Sequence, residues 1–375
     1  MSTAQKNDLP YINAFNLIPG IGTQKLHLID EYFEGFENAW NASKKEFEEI
    51  NFSQKLIENI THAQKNLNPQ KEFKKLQENN IELITKNDLG FPTKLKTIKS
   101  PPFLLYVRGN KNILNSPSVT VVGSRKISDY GKHAINSIIP DIAISGITII
   151  SGLAIGTDAL AHKTTLEIGG ATLAVLGGGI DDKTITPRSH VNLAKQILQN
   201  SGAIVSEYPI GTQPNRGTFP ARNRIMAGLA NATIIIEATK KSGTLITAKH
   251  AFEFNRKLFA LPGSIFAQNS LGPNMLLRDK NALPLLCSDD VKVIFKDSIV
   301  QRSAITKKQT PTNETQKILY KTINKYPNGA QINKIIKESN LDGATVSSEL
   351  TLMEIEGIIK NIGNQIYICT KFDKK

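Results

Sequence analysis

The sequence predicts an α/β protein: a doubly wound, mostly parallel sheet, preceded by a small helical domain and followed by a C-terminal winged helix. Three observations carry this. Between residues 118 and about 287, short β-branched runs alternate regularly with stretches of helical length and pattern. The runs end abruptly in small residues, as in SVTVVGSRK (118–126) and ITIISGLAIGTD (147–158). Continuous Val and Ile stopped by a glycine turn is the pattern of a strand buried on both faces. The intervening SDYGKHAINSIIPDIAISG has the length of a crossover helix, so strand, helix and strand form a βαβ unit.

Taken in order, residues 1–68 read as a small helical domain resembling SAM or helix-hairpin-helix modules. LIPGIG (17–22) suits the hairpin of such a module, whose glycines present N–H groups to a phosphate. Asp30, Glu31, Glu34 and Glu37 surround it, which argues against strong DNA contact and favours a turn used for packing. Trp40, the only tryptophan, is expected in the core. In the basic stretch 69–110, IELIT and FLLYVRG read as strands, because the prolines of FPTKLKTIKSPP between them forbid a long helix.

The central domain, 69–297, is expected to hold strands near 118–122, 147–151, 171–176, 202–206, 232–236 and 257–260. Residues 298–312, SIVQRSAITKKQTPT, are polar and patternless and read as a linker. A winged helix is expected over 313–375: helices at 313–325, 331–338 and 344–356, then a two-stranded wing in IIKNIGNQIYIC. Leu350, Leu352, Met353, Ile355, Ile358 and Ile359 are expected on its inner face. Thr345, Ser347, Ser348 and Glu349 on the solvent side of its third helix speak against base reading.

Composition narrows the function. The formal net charge is +13, with a net of −3 over residues 1–70 and +6 in each of 111–290 and 291–375. A basic body behind an acidic N-terminal domain fits a polyanionic partner. Two cysteines, Cys287 and Cys369, are too few for a disulfide framework or a cysteine zinc site. The N-terminus lacks the apolar core of a signal peptide. The most membrane-like window, 137–156, is broken by Pro140, Asp141 and three glycines. A soluble cytoplasmic protein with no membrane partner is expected.

In a parallel sheet the turns at the carboxyl ends of the strands share one edge, where ligands bind. Gly123-Ser124-Arg125, Ser151-Gly152, Gly177-Gly178-Gly179 and Ser242-Gly243-Thr244 would line it with small, donor-rich turns suited to a run of phosphates. RGTFPARNR adds Arg216, Phe219, Arg222 and Arg224. Basic residues interleaved with an aromatic ring compose a single-strand groove, in which charge follows the backbone and the ring stacks a base. The competing reading buries Phe219 as an anchor and pairs Arg222 and Arg224 with Glu207 and Glu237, which would not account for all three arginines.

Enzyme readings fare worse. The first turn, GSRKISDYG, is not G-x-G-x-x-G, and the second strand ends in SGLA without the acidic residue that holds a ribose, so a dinucleotide cofactor is not expected. Asp158, His162, Glu207 and Glu237 are scattered over separate segments and form no nucleophile–base pair. Asp158 and His162 alone make a poor metal site. His162 is expected to be a structural residue of its helix. Neither cofactor nor metal is expected.

The runs VVGSRKISDYG, SGLAIGTDALAH, TLAVLGGGID, IVSEYPIGTQP, FPARNRIMAGLA, IIIEATKKSGTLITAKHAFEFNRKLFALPGS and LGPNMLL resemble the DNA-processing protein A (DprA/Smf) family in order and spacing over about 118–280. The resemblance implies a Rossmann-like core and a non-enzymatic, dimeric single-stranded-DNA-binding protein. Such a protein shields incoming DNA in natural transformation and loads the RecA recombinase onto it. It implies a phosphate-binding role for Arg125, basic and base-stacking roles for Arg216 and Phe219, and a second glycine-turn motif at Ser242, Gly243 and Thr244. Thr157 replaces a usual isoleucine or valine, Thr186 replaces a usual tyrosine, and NIGNQIY lacks the proline-glycine turn often seen in the wing. The rival from another class is a lysine-decarboxylase-like phosphoribohydrolase. That group carries P-G-G-x-G-T-x-x-E, whereas KKSGTLITAKH offers Lys249 and no glutamate in step.

Overall fold

Local signals set the helices of the N-terminal region: α1 (Thr3–Asn16), α2 (Thr23–Phe33), α3 (Phe36–Asn41), α4 (Lys44–Glu49), α5 (Gln54–Asn66) and α6 (Pro69–Glu78). Ser43 and Glu46 close a reciprocal capping box on α4. Asn68 accepts from the Lys71 N–H at 2.9 Å, with Pro69 in the first turn of α6. The computed structural model describes residues 3–295, 311, 313–326, 329–355, 358–363 and 365–369. Apart from residue 311, the linker expected at 298–312 lies outside them. The chain divides into two compact units, Met1–Arg302 and Ser303–Lys375.

In the first unit the strands are β1 (Ile81–Thr85), β2 (Leu104–Gly109), β3 (Ser118–Val122), β4 (Thr148–Ser151), β5 (Thr172–Val175), β6 (Ala203–Ser206), β7 (Ala232–Ile235), β8 (Lys257–Ala260) and β9 (Leu283–Pro284). They form one sheet in the order β1-β2-β6-β5-β4-β3-β7-β8-β9. From β6 to β9 all pairs are parallel, while β2 joins β6 antiparallel and β1 joins β2 antiparallel. The six expected central strands are all present. The 81–85 and 103–109 runs extend the same sheet rather than forming an element apart. After α7 (Thr93–Lys96), the crossovers are α8 (Asp129–Ile144), α9 (Thr157–Glu167), α10 (Val191–Gln199), α11 (Thr218–Leu229) and α12 (Thr244–Glu253), followed by α13 (Leu271–Arg278) and α14 (Asp289–Lys292).

The strand order reverses between β3 and β7, because the chain steps away from β3 through β4, β5 and β6 and then returns to its other side. Such a switch opens a crevice at the carboxyl ends of the strands. The central strands β3 to β7 are buried throughout, and core side chains cover both faces. The helical region shares a core with the sheet: Phe15, Phe36, Phe103, Tyr106 and Leu153 belong to one buried cluster. The Tyr106 hydroxyl donates to Asn13 at 2.9 Å and accepts from Asn16 at 3.1 Å, fastening α1 to β2. Trp40 packs edge-on to Phe15, as expected of a core residue.

The second unit contains α15 (Glu314–Asn324), β10 (Ala330–Gln331), α16 (Ile332–Ser339), α17 (Gly343–Ile355), β11 (Ile359–Asn361) and β12 (Ile366–Cys369). Its sheet has three strands, β10-β12-β11, one more than the two-stranded wing expected. Leu350, Met353, Ile358 and Ile359 are buried with Leu319, Ile323 and Ile335. Leu352 does not join them and is 48% exposed, because it lies one residue out of step with Leu350 and Met353 on the helix.

Candidate nucleic-acid interface

The turn that leaves β3 is shaped by its neighbours. The Ser124 hydroxyl accepts from the Lys126 N–H at 3.0 Å, and the Ser124 carbonyl accepts from the Thr157 N–H at 3.1 Å and its hydroxyl at 3.2 Å. A Cβ on Gly123 would sit 2.5 Å from Thr157 Oγ1. Gly156, with φ +82°, comes so close to the same turn that a Cβ there would lie 2.4 Å from the Ser124 carbonyl oxygen. The turns after β3 and β4 therefore clamp each other, and Arg125 is left exposed at the rim.

Arg125 faces an aromatic ring. Its guanidinium carbon stands 5.6 Å from the centroid of Phe219, within cation–π range. Phe219 rides the first turn of α11, which Asn215 sets up by accepting from the N–H groups of Gly217 (2.8 Å) and Thr218 (3.2 Å). The half-buried ring has one edge on Gly177, where a Cβ would come within 3.1 Å of Phe219 Cδ1. Arg216, at the tip of the turn before α11, is exposed and makes no ion pair or hydrogen bond among the described residues. Arg125, Phe219 and Arg216 thus stand where a ligand can reach them.

Other expected contacts are corrected by burial. The Ser151 hydroxyl is fully buried and donates to the Val121 carbonyl at 2.7 Å. Gly152 is buried because the Arg222 guanidinium fills the space where its side chain would be, with Nη1 2.3 Å from an added Cβ. Arg222 is only 5% exposed and donates to the carbonyls of Gly152, at 2.7 Å, and Val175. Its charge also acts on buried Asp158, without a direct ion pair. Burial raises the Asp158 carboxyl and lowers Arg222, and each charge opposes the other's shift. Arg222 is therefore a brace between strand ends, not a groove residue.

Arg224 is also committed. Its Nη2 lies 2.5 Å from Glu207 Oε1, with both side chains at least 85% buried, and Thr23 donates to the same carboxylate oxygen at 2.9 Å. This pair supports the 17–22 hairpin, which lines a cavity of about 610 Å³ with Arg224 and so turns toward the protein. Glu237 takes neither arginine: it accepts from the Ser128 N–H at 3.0 Å, from the Ser128 hydroxyl and from Asn269 at 3.2 Å, at the start of α8.

The Ser242-Gly243-Thr244 turn holds the crevice from the β7 side. Thr244 is buried, and its hydroxyl donates to the Gly123 carbonyl at 3.0 Å, so it ties two turns together rather than reaching outward. Ser242 accepts from the Thr244 N–H at 3.2 Å, leaving Gly243 exposed. Lys240 and Lys241, both exposed beside them, add charge that the motif reading had passed over; the doublet KK before SGT was its visible signal. Gly177, Gly178 and Gly179 are buried under the 209–219 loop and are glycines for close packing, with the Gly179 N–H spent on the Thr212 carbonyl at 2.8 Å. His162 is fully buried on α9, with Nδ1 2.7 Å from Thr172 Oγ1. The Thr172 hydroxyl already donates to Ile149, so Nδ1 carries the proton.

The edge thus offers an exposed arginine over a ring, exposed Arg216, Lys240 and Lys241, and rigid glycine turns. It suits a flexible polyanion with flat bases. Comparison with known proteins agrees with this geometry. The family model described as DNA recombination-mediator protein A matches residues 82–296. Protein Smf of Synechocystis is 41% identical over 295 residues, covering 74% of this chain and 73% of that protein. DNA processing protein DprA of Bacillus subtilis is 34% identical over 216 residues, 57% of this chain and 71% of that one. The crystal structure of DNA processing protein A from Streptococcus pneumoniae superposes with a TM-score of 0.65 at 31% identity, covering 76% of this chain and 97% of that one. A structure of the Helicobacter pylori protein, concerned with its single-stranded DNA binding mode, gives 0.52 at 29% identity over 58% of this chain and 97% of that one.

Proposed function

Since this chain belongs to the DNA recombination-mediator protein A family, we propose that it binds single-stranded DNA along the carboxyl edge of its parallel sheet and delivers that strand to a recombinase. The observation that carries the reading is the exposed Arg125 guanidinium set 5.6 Å over the Phe219 ring. The guanidinium meets a phosphate, and a base displaces or joins it on the ring. Arg216, Lys240 and Lys241 extend the charge on either side, while the braces beneath keep the turns in place before DNA arrives. No sequence readout is built in, since every base has a face to stack.

On this reading the protein acts without turnover. Asp158 and His162 are buried, Glu237 holds Ser128 at the start of α8, and buried Thr247 stands where the hydrolase motif needs a glutamate. Incubation with AMP should give no adenine; release of the base would bring back the phosphoribohydrolase. A homodimer that hands DNA to RecA in natural transformation is the fuller form of the proposal. Sedimentation of the free chain and RecA filament assays on coated DNA test it.

Fluorescence anisotropy with single-stranded and duplex oligonucleotides across a salt series tests binding itself. Single strands should bind tighter, and Arg125→Ala should weaken all sequences alike while flattening the log–log salt slope by about 0.7. Phe219→Ala should cost ~1–3 kcal/mol of affinity with the slope unchanged. Equal affinity for duplex and single strand overturns the groove.

A further inference from the structure

A second concavity borders the turn that carries Arg125, through Lys126 and Ser128. It measures about 700 Å³ and is lined by Lys126, Ser128, Tyr130, Ser264, Gln268 and Asn269, among others. Its wall is continuous with that turn: Asn269 Nδ2 donates to the Lys126 carbonyl at 3.0 Å and to Glu237 at 3.2 Å. The buried Glu237 carboxylate is satisfied by Ser128 and Asn269, so it presents no unmet negative charge to the space.

The loop above is anchored and yet displays apolar side chains. Asn274 bonds Gly263 in both directions, at 2.9 and 3.2 Å, and the Tyr130 hydroxyl donates to the Pro262 carbonyl at 2.6 Å. From this base Ile265 and Phe266 stand 73% and 90% exposed, and Tyr130 is 52% exposed. Two aromatic rings held near water, a lysine and the exposed Gln268 amide are the parts of a nucleotide site: ring for base, cation for phosphate, amide for base edge. An apolar partner alone would have no use for Lys126 and Gln268.

We propose that this concavity takes a further nucleotide of the same single strand, its phosphate on Lys126 and its base against Tyr130, with Phe266 meeting that base from the bordering loop between the lining Ser264 and Ala267. The strand then crosses the β3 turn, gripped by Arg125 on one side and Lys126 on the other. This rests on the single-strand reading above and extends the bound length beyond the Arg125–Phe219 pair.

The test titrates the full-length protein with oligo-dT of increasing length. Phe266→Ala, at a nearly fully exposed position, should leave the shortest bound oligomers unaffected and weaken longer ones roughly tenfold. Lys126→Ala should flatten the salt slope for the longer oligomers alone, by about 0.7. A single abasic residue at the matching position should abolish the difference between wild type and Phe266→Ala. Wild-type affinity of both variants at every length overturns this inference while leaving the Arg125 groove intact. A fall in dimer mass for Phe266→Ala with unchanged DNA affinity assigns the patch to a second copy instead. If the wild-type chain binds no single strand, and Arg125→Ala changes nothing, both readings fall together.

Discussion

Arg222 and Arg216 lie six residues apart in one basic run and have opposite fates, and helical geometry decides which is which. α11 starts at Thr218, and Arg222 falls on the same face as Ile225, Met226 and Leu229, all buried. That spacing was visible in the sequence, but counting charges in RGTFPARNR hid it. Arg222→Ala should therefore act on stability: it leaves the buried carbonyls of Gly152 and Val175 without their donor, at a cost of ~1–3 kcal/mol in urea unfolding. Lysine should rescue it only in part: both carbonyls accept from Nη1, but the Nε that donates to Asn223 has no counterpart in lysine. A variant that folds like wild type but loses DNA would show that Arg222 touches the ligand. His162 gives a second test at this scale. Burial, with His190 and Arg222 adding, pulls it down from 6.5 to about 3. The unfolded chain therefore takes up a proton that the folded chain refuses between those values. Stability should fall on acidification through that window, by up to about 1.4 kcal/mol per pH unit from this group. His162→Gln should remove that component, seen as a shallower acid limb in melts from pH 7 to 4; parallel limbs would contradict it.

The elements were largely legible because period and punctuation agree. Val and Ile runs closed by Gly123, Gly152 and Gly177 gave the parallel strands, and Asn68-Pro69 marks the start of a helix. What could not be read was the mutual fit of the turns. Ser151, Gly152 and Thr244 look like ligand-facing donors in a linear motif, yet they meet Val121 of β3, Arg222 of α11 and the Gly123 carbonyl, each tens of residues away. Small residues at a strand end serve close packing and anion binding alike, and only the tertiary arrangement separates the two. Gly156 tests the clamp: alanine there would need a left-handed backbone and would strike the Ser124 carbonyl. Gly156→Ala should lower stability by more than ~1 kcal/mol and weaken single-strand binding by displacing Arg125, although neither atom of the change touches DNA. Unchanged melting and affinity would refute the clamp. Gly146→Ala, at φ +80° with open space around its Cβ position, keeps the backbone strain without the clash and is the matched control.

For the whole molecule, the second unit has its own core, and the solvent side of α17 shows serine, threonine and glutamate. Chains ending after Arg302 should therefore keep the single-strand affinity of the full chain within a few-fold by anisotropy; a loss beyond tenfold would give residues 303–375 a share in the grip. The order of the sheet carries a consequence for synthesis. β1 and β2 emerge early as an antiparallel pair, but β2's other neighbour in the finished sheet is β6, about 90 residues further along. At ~5–20 residues per second the ribosome needs roughly 5–20 s to deliver it. Throughout that delay one rim of the hairpin, with Tyr106 and Val107 on it, has no permanent neighbour. The nascent chain is then open to wrong pairing, and chaperone attendance is most needed between the appearance of β2 and that of β6.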